Sequence, residues 1–170
     1  RLWNASVATG VSLAEFSSCA DTVMVAFSKG LGAPIGAALA GTRDQMGIAW
    51  TARKMFGGAM RQSGMLAAAV LYALDNHVDR LAEDHANAET IARIIDGAGG
   101  ARVVDPDTNI VMIDLPHRRS TAPIVAAAKA EDVWVSQWSD TRIRMVTHLD
   151  VSAADARHAA EIVRDALDAA

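Results

Sequence analysis

The apolar positions along the chain change rhythm several times, and each change predicts an element. Residues 21–29, "DTVMVAFSK", form a short apolar and β-branched run that ends abruptly. Such a run reads as a buried strand, as in a sheet covered on both faces. Gly30, Gly32, Pro34 and Gly36 then break regular structure, and "IGAALAG" at 35–41 reads as a second short strand. Thr42-Arg43-Asp44 opens a helical stretch that Gly57-Gly58 ends after Phe56. From Met60 to Asn76 the pattern is apolar nearly all round, which predicts a helix buried on most sides. Val78, Leu81, His85, Ala88, Ile91 and Ile95 fall at three- and four-residue spacing, one stripe of an amphipathic helix, with Asp79, Glu83, Asn87 and Arg93 mostly off it.

"DGAGG" at 96–100 stops that helix and marks the expected boundary between a domain at 1–97 and another at 98–170. Beyond it, "ARVV" and "TNIVMIDL" read as strands, and "TAPIVAAAKAED" as a helix entered at Thr121 with Pro123 in its first turn. "VWVSQW" and "TRIRMVTH" read as further strands, and Ser152 caps a final helix. The fold class is therefore α/β: a larger α/β piece followed by a small α+β unit.

Composition narrows the function classes. At 170 residues, with 51% hydrophobic and 21% charged side chains, the chain can bury a real core. A net charge of −4, with no basic stripe, argues against a nucleic-acid partner. No apolar run reaches membrane-spanning length. No Cys/His cluster has metal-ligand spacing, and Cys19, the one cysteine, cannot close an internal disulfide. A reducing, cytoplasmic setting is the default. The first residue is Arg1 rather than a methionine, which suggests a fragment of a longer protein.

Lysine is rare here: only Lys29, Lys54 and Lys129 occur. Lys29 follows the first strand, at the end where open α/β sheets place ligands. A desolvated lysine loses part of its preference for the charged form, and a neutral amine can form an imine with an aldehyde. The residues alone leave a second reading, a solvent-facing lysine at a strand end. On the "TRIRMVTH" strand, Arg142, Arg144, Val146 and His148 share one face, and Ile143, Met145 and Thr147 the other. The first face could line a cleft, where an arginine fork matches a carboxylate, or could be solvated. Lys54 and Arg61 flank a diglycine, where they could serve a phosphate, a neighbouring subunit's site or, for Lys54, the helix dipole. Ser28 could bond a phosphate or have no role. The histidines at 77, 85 and 158 read as structural or surface residues, and His117 as part of a polar loop.

Four segments in order, "RLWNASVATGVSLAEFSSCADTVMVAFSKGLG", "SKGLGAPIG", "RKMFGGAMRQSGMLAAAVLYAL" and "RMVTHLDVS", are similar to the threonine aldolase family. These are pyridoxal-phosphate enzymes of the type I, aspartate-aminotransferase fold. The resemblance covers nearly the whole chain and implies that 1–97 is part of the cofactor-binding large domain. It implies that Lys29 is the catalytic lysine, joined to the cofactor aldehyde as a Schiff base. Cofactor contacts would come from Lys29, Ser28, Arg1, Lys54 and Arg61, and substrate contacts from Arg144, on the α-carboxylate, and Arg1. His148 belongs to the family pattern and could support Arg144. The implied reaction cleaves L-threonine, L-allo-threonine or a related β-hydroxy-α-amino acid to glycine and an aldehyde, in a homodimer or homotetramer. No metal is implied.

Arg1 matches the arginine of the family's Asp-Gly-Ala-Arg motif. The family's phosphate cup, ring-stacking histidine and ring-nitrogen aspartate have no counterpart in these residues. The chain is therefore expected to be the C-terminal half of such an enzyme and a poor catalyst alone. The alternatives are a non-catalytic fragment, or a related lyase acting on another β-hydroxy amino acid.

Overall fold

In the computed structural model, which describes residues 1–116 and 119–170, two short helices come before the first strand: α1, Leu2–Thr9, and α2, Leu13–Ser17. Gly10 ends α1 in the left-handed region that favours glycine, and the Ser12 side chain accepts from the Glu15 N–H to cap α2. The apolar pattern does not announce either helix. Strands β1, Thr22–Ala26, and β2, Ala37–Gly41, pair antiparallel, Thr22 opposite Gly41 and Ala26 opposite Ala37. Helix α3, Arg43–Met55, starts from a capping box in which Thr42 and Gln45 satisfy each other's backbone N–H. Helix α4 spans Gly64–Asn76.

Two expectations about this region change. Strand β1 is half-buried rather than covered on both faces: Met24 is 64% exposed, while Val23 and Val25 are partly buried. An unbroken apolar run does not reveal which of its alternate positions meets a neighbour. Helix α4 starts at Gly64 rather than Met60, and only its Ala73 is fully buried. Its inner side packs on Leu31, Ala33 and Leu81, whereas Met65 is 82% exposed. Alanine-rich sequence is apolar on every side and so hides which side packs.

The chain divides into two compact units, 1–81 and 82–170. The glycine-rich segment at 96–100 lies within the second of these units. Helix α5, Leu81–Ile95, buries Ala88, Ile91, Ala92 and Ile95 in the core of the second unit, so its stripe draws the helix to that side of the boundary.

The second unit holds a four-stranded antiparallel sheet in the order β3 (Arg102–Val104), β4 (Ile110–Asp114), β6 (Arg142–Val146), β5 (Ser136–Ser139). One face buries Val103, Val111, Ile113, Ile143 and Met145 against apolar residues of α5, of α6 (Ala122–Ala130) and of α7 (Ala153–Ala169). Thr121 precedes α6, but its hydroxyl donates to the Ser139 carbonyl, 3.0 Å, rather than accepting from a helix N–H. Ser152 caps α7 reciprocally with Asp155. Thr147, just beyond β6 and fully buried, donates to the Asp84 carbonyl and accepts at its own carbonyl from Asn109, both at 2.6 Å. Those bonds satisfy polar groups that would otherwise be costly to bury.

Among the described residues no helix is long and apolar enough to cross a membrane. Nor does any group of three or more His, Cys, Asp or Glu there form a metal site.

Candidate active site

Lys29 lies in the loop between β1 and β2, and the loop's own backbone explains its shape. The Phe27 N–H donates to the Gly36 carbonyl at 3.0 Å, continuing the ladder one step past β1. The Ala33 N–H returns to the Phe27 carbonyl at 3.1 Å, and the Gly32 N–H closes a turn on the Lys29 carbonyl at 2.8 Å. Gly32 and Gly36 have φ of 66° and 122°, conformations that side chains with a Cβ rarely adopt. Leu31 and Ala33 point into the core of the first unit, while Ser28 and Lys29 are exposed. The turn thus buries the apolar residues after the lysine and leaves its amine in solvent.

Gly30 has a different reason to be glycine. A Cβ there would lie 2.8 Å from Asn4 Nδ2 and 2.9 Å from Leu81 Cδ2. Both of those side chains are buried, so neither can step aside cheaply. Gly30→Ala is expected to cost about 1–3 kcal/mol through overpacking, read as a lower urea midpoint. An unchanged midpoint would show that the contact relaxes.

This close approach also brings α1 onto the loop. Trp3 meets Phe27 with ring centroids 6.2 Å apart. Its indole N–H is buried with no partner among the described residues. Arg1, at the head of α1, lies within electrostatic reach of Lys29. Lys29, Ser28 and Arg1 therefore gather around one loop.

Lys54 and Arg61 lie elsewhere in the same unit. Lys54 is in the last turn of α3, its ammonium 5.5 Å from the centroid of Trp50, one helical turn back. That is the helix-end position complementing the dipole. Arg61 is exposed in the connection to α4, beside Gln62, whose φ is 51°. Arg53, not singled out in the sequence, makes more contacts. It lies 5.3 Å from the Trp50 centroid, and its Nε donates to the Gly58 carbonyl at 2.9 Å. It lines an open groove of about 580 Å³ with Phe27, Ile35, Met60, Val70 and Leu71. Its spacing from Trp50 and from the diglycine was the available signal.

Arg144 belongs to the second unit. The alternation read from the sequence is present there: Ile143, Met145 and Thr147 are buried, and Arg142, Arg144 and Val146 lie on the other face, partly exposed. The two arginines differ in partners. Arg142 holds Asp114 bidentately, Nε to Oδ1 at 2.5 Å and Nη2 to Oδ2 at 2.8 Å. That hydrogen bonding holds the Asp114 carboxyl below its ordinary value. The Arg144 guanidinium rests over the Trp138 ring, 5.6 Å from its centroid, and has no carboxylate partner among the described residues. A stacked, unclaimed fork is suited to a carboxylate from outside. Trp138 and Asp114 are the neighbours that the sequence reading missed.

His148 is exposed and turns to Asp150, accepting from its N–H at 3.3 Å. His85 is partly buried, and burial outweighs Asp84 and Glu89 in holding its imidazole below the ordinary value. His158 is on the surface of α7. His117 lies outside the described residues.

Comparison with known proteins bears on this arrangement. The family model described as beta-eliminating lyase matches residues 1–117. The low specificity L-threonine aldolase of Escherichia coli (strain K12) is 44% identical over 152 residues, 89% of this chain and 44% of that protein. Low-specificity L-threonine aldolase 1 of Arabidopsis thaliana is 34% identical over 171 residues, 98% of this chain and 48% of that protein. The chain spans about half the length of these curated relatives. Among solved structures, a Listeria monocytogenes protein proposed to be an L-allo-threonine aldolase superposes with a TM-score of 0.80 at 23% identity, over 99% of this chain and 50% of that one. An α-aminoadipate aminotransferase of Thermus thermophilus, complexed with a phosphopyridoxyl-leucine adduct, gives a TM-score of 0.68 at 17% identity, over 93% of this chain and 45% of that one. The fold is thus that of the type I pyridoxal-phosphate enzymes, as the resemblance implied. With the family model matching more than half of its residues, the chain belongs to the beta-eliminating lyase family and is similar within it to the threonine aldolases.

Proposed function

We propose that this chain carries the catalytic lysine and the carboxylate-binding arginine of a pyridoxal-phosphate-dependent carbon–carbon lyase. Its substrates are L-threonine, L-allo-threonine or related β-hydroxy-α-amino acids, cleaved between Cα and Cβ to glycine and an aldehyde. The observation that carries this reading is Lys29: an exposed amine on a loop whose backbone is tied down on both sides of it.

The donor set fits the cofactor. An accessible primary amine suits its aldehyde carbon, and a hydroxyl and several cations suit its phosphate and ring substituents. Lys29 Nζ would hold the aldehyde carbon, with Ser28 and Arg1 as contacts beside it, and Lys54 and Arg61, elsewhere in the unit, would serve a phosphate in a neighbouring subunit's site. When bound, pyridoxal phosphate supplies the sink for the electrons of the broken bond. The chain's residues hold and orient. The Lys29 amine acts as nucleophile only when its lone pair is free of a proton. The Arg144 fork binds the substrate α-carboxylate with two parallel N–H donors, which fixes how Cα is presented.

The test is glycine release from L-threonine and L-allo-threonine, with and without added pyridoxal phosphate, by the chain expressed with any residues that naturally flank it. Release dependent on the cofactor supports the reading; no release from any β-hydroxy amino acid overturns it. Arg144→Leu should raise KM on the order of tenfold to a hundredfold, the scale of hydrogen bonds to a charged group. Folding should be unaffected, because Arg144 is partly exposed. An unchanged KM would remove Arg144 from the substrate site.

The wider assignment is a glycine-forming enzyme of amino-acid metabolism that works as a homodimer or homotetramer in the cytoplasm. The exposure of Phe56 and Met65, at 88% and 82%, fits burial in an assembly. The exposed thiol of Cys19 fits a reducing compartment.

A further inference from the structure

The carbonyls of Phe27, Lys29 and Leu31 alternate around the lysine, and each has an acceptor role. Those of Phe27 and Lys29 are met by N–H groups within the loop, from Ala33 and Gly32. The Leu31 carbonyl accepts from the His77 ring, with Nδ1 at 2.7 Å. Leu31 is 1% exposed, so its carbonyl is in a setting where an unmet acceptor is costly. A carbonyl oxygen only accepts, so His77 Nδ1 carries the proton in this pair.

His77 itself is held from three directions. Its backbone N–H caps α4 on the Ala73 carbonyl at 2.9 Å, and its ring stands edge-on to Tyr72 with centroids 5.6 Å apart. The third contact is the Leu31 carbonyl. The C-terminal end of α4 is thereby joined to the backbone two residues past Lys29.

We propose that His77 is a positioning residue for Lys29: its Nδ1–H fixes the Leu31 carbonyl and so sets the course of the lysine loop. This proposal rests on the reading of Lys29 as the cofactor lysine. The lost bond should act on the lysine's reactivity rather than only on folding, because loop, strand and helix retain their other contacts.

The experiment compares wild type, His77→Leu and His77→Asn in the chain expressed with any residues that naturally flank it. Leucine keeps bulk and loses the donor; asparagine keeps an N–H donor. Each is incubated with pyridoxal phosphate, reduced with borohydride and digested, and the modified lysine is located and quantified by mass spectrometry. The pH midpoint of the bound cofactor's absorbance band, the urea midpoint, and kcat and KM for L-threonine are read in parallel.

His77→Leu should lower labelling at Lys29 by about tenfold, the scale of one lost hydrogen bond, and shift the absorbance midpoint. His77→Asn should return both to near wild type. The loss should fall on cofactor attachment and kcat more than on KM. Full labelling with an unmoved midpoint in His77→Leu overturns the proposal and leaves the function intact. Parallel loss of labelling and urea stability in both variants also overturns it, in favour of a role in folding alone. A wild type that is not labelled at Lys29 overturns the function reading, and this proposal with it.

Discussion

Lys29→Ala should reduce glycine release from L-threonine on the order of a thousandfold or more, the scale on which positioned nucleophiles and proton carriers contribute. No second lysine stands where it could substitute for Lys29. The loop between β1 and β2 offers one primary amine, and the chain has only two other lysines. Lys54 lies over Trp50 at 5.5 Å and Lys129 over Trp134 at 4.6 Å, each engaged with an aromatic neighbour of its own. Neither stands on the loop that Phe27, Lys29 and Leu31 define. Lys29→Arg is the decisive companion: it keeps the positive charge and the length but has no amine that can be freed of its proton. Both variants should fold like wild type, since Lys29 is exposed and the loop's hydrogen bonds use its backbone. Steady-state glycine release, with circular dichroism as a check on folding, measures this. Turnover retained in either variant would show that Lys29 is only a strand-end surface lysine.

The second large effect concerns stability. Ile143→Ala should cost about 2–5 kcal/mol, the range for removing most of a fully buried aliphatic side chain. Ile143 is 0% exposed on β6, an inner strand, with Ile113 directly across on β4 and Gln137 across on β5. Its side chain enters the cluster that α5, α6 and α7 share, including Ile91, Ile124 and Val163. A cavity there has close-packed walls that collapse only in part. That loss is a large share of a typical domain stability of about 5–15 kcal/mol. Ile143→Val should cost only about 0.5–1.5 kcal/mol. Urea denaturation followed through the tryptophan signal would separate the two. If alanine costs no more than valine, the core of the second unit is looser than its burial indicates. Arg144 is the next residue on the strand, so the alanine variant should also weaken substrate binding at urea concentrations well below the midpoint.

The second unit was legible because its pattern has only one solution. Alternation along "TRIRMVTH" puts Ile143 and Met145 inward, and Ser152 and Thr121 stand where their helices begin. The first unit resisted where apolar residues do not discriminate. "MLAAAVLYAL" has no polar face, so the exposure of Met65 and Leu71 could not be read from it. "DTVMVAF" is apolar at both phases of a strand. A glycine cluster is visible in sequence, whereas the packing of Ala88, Ile91 and Ile95 with residues of a sheet remote in the chain is not.

The candidate site divides in the same way. Lys29 stands out by rarity, Arg144 by its place in the alternation of a strand, and both by resemblance. The hydrogen bond from His77 to Leu31 spans 46 positions and joins a helix end to a loop; no periodicity encodes it. The Arg142–Asp114 pair is likewise a consequence of register between β4 and β6. Once known, it explains why two arginines of one strand face differ in what they can still bind.

The loop that carries Lys29 has a mechanical consequence. Its backbone is a stiff mount, clamped at alternate carbonyls and wedged at Gly30 against Asn4 and Leu81. The side chain above it is a jointed arm exposed to solvent. An arm of that kind could let go of what it holds, swing clear and return to the same spot, because hydrogen bonds tie its root in place. Repeated capture and release would then need no refolding between cycles, and the rigidity of ten backbone residues would set the accuracy of one mobile amine.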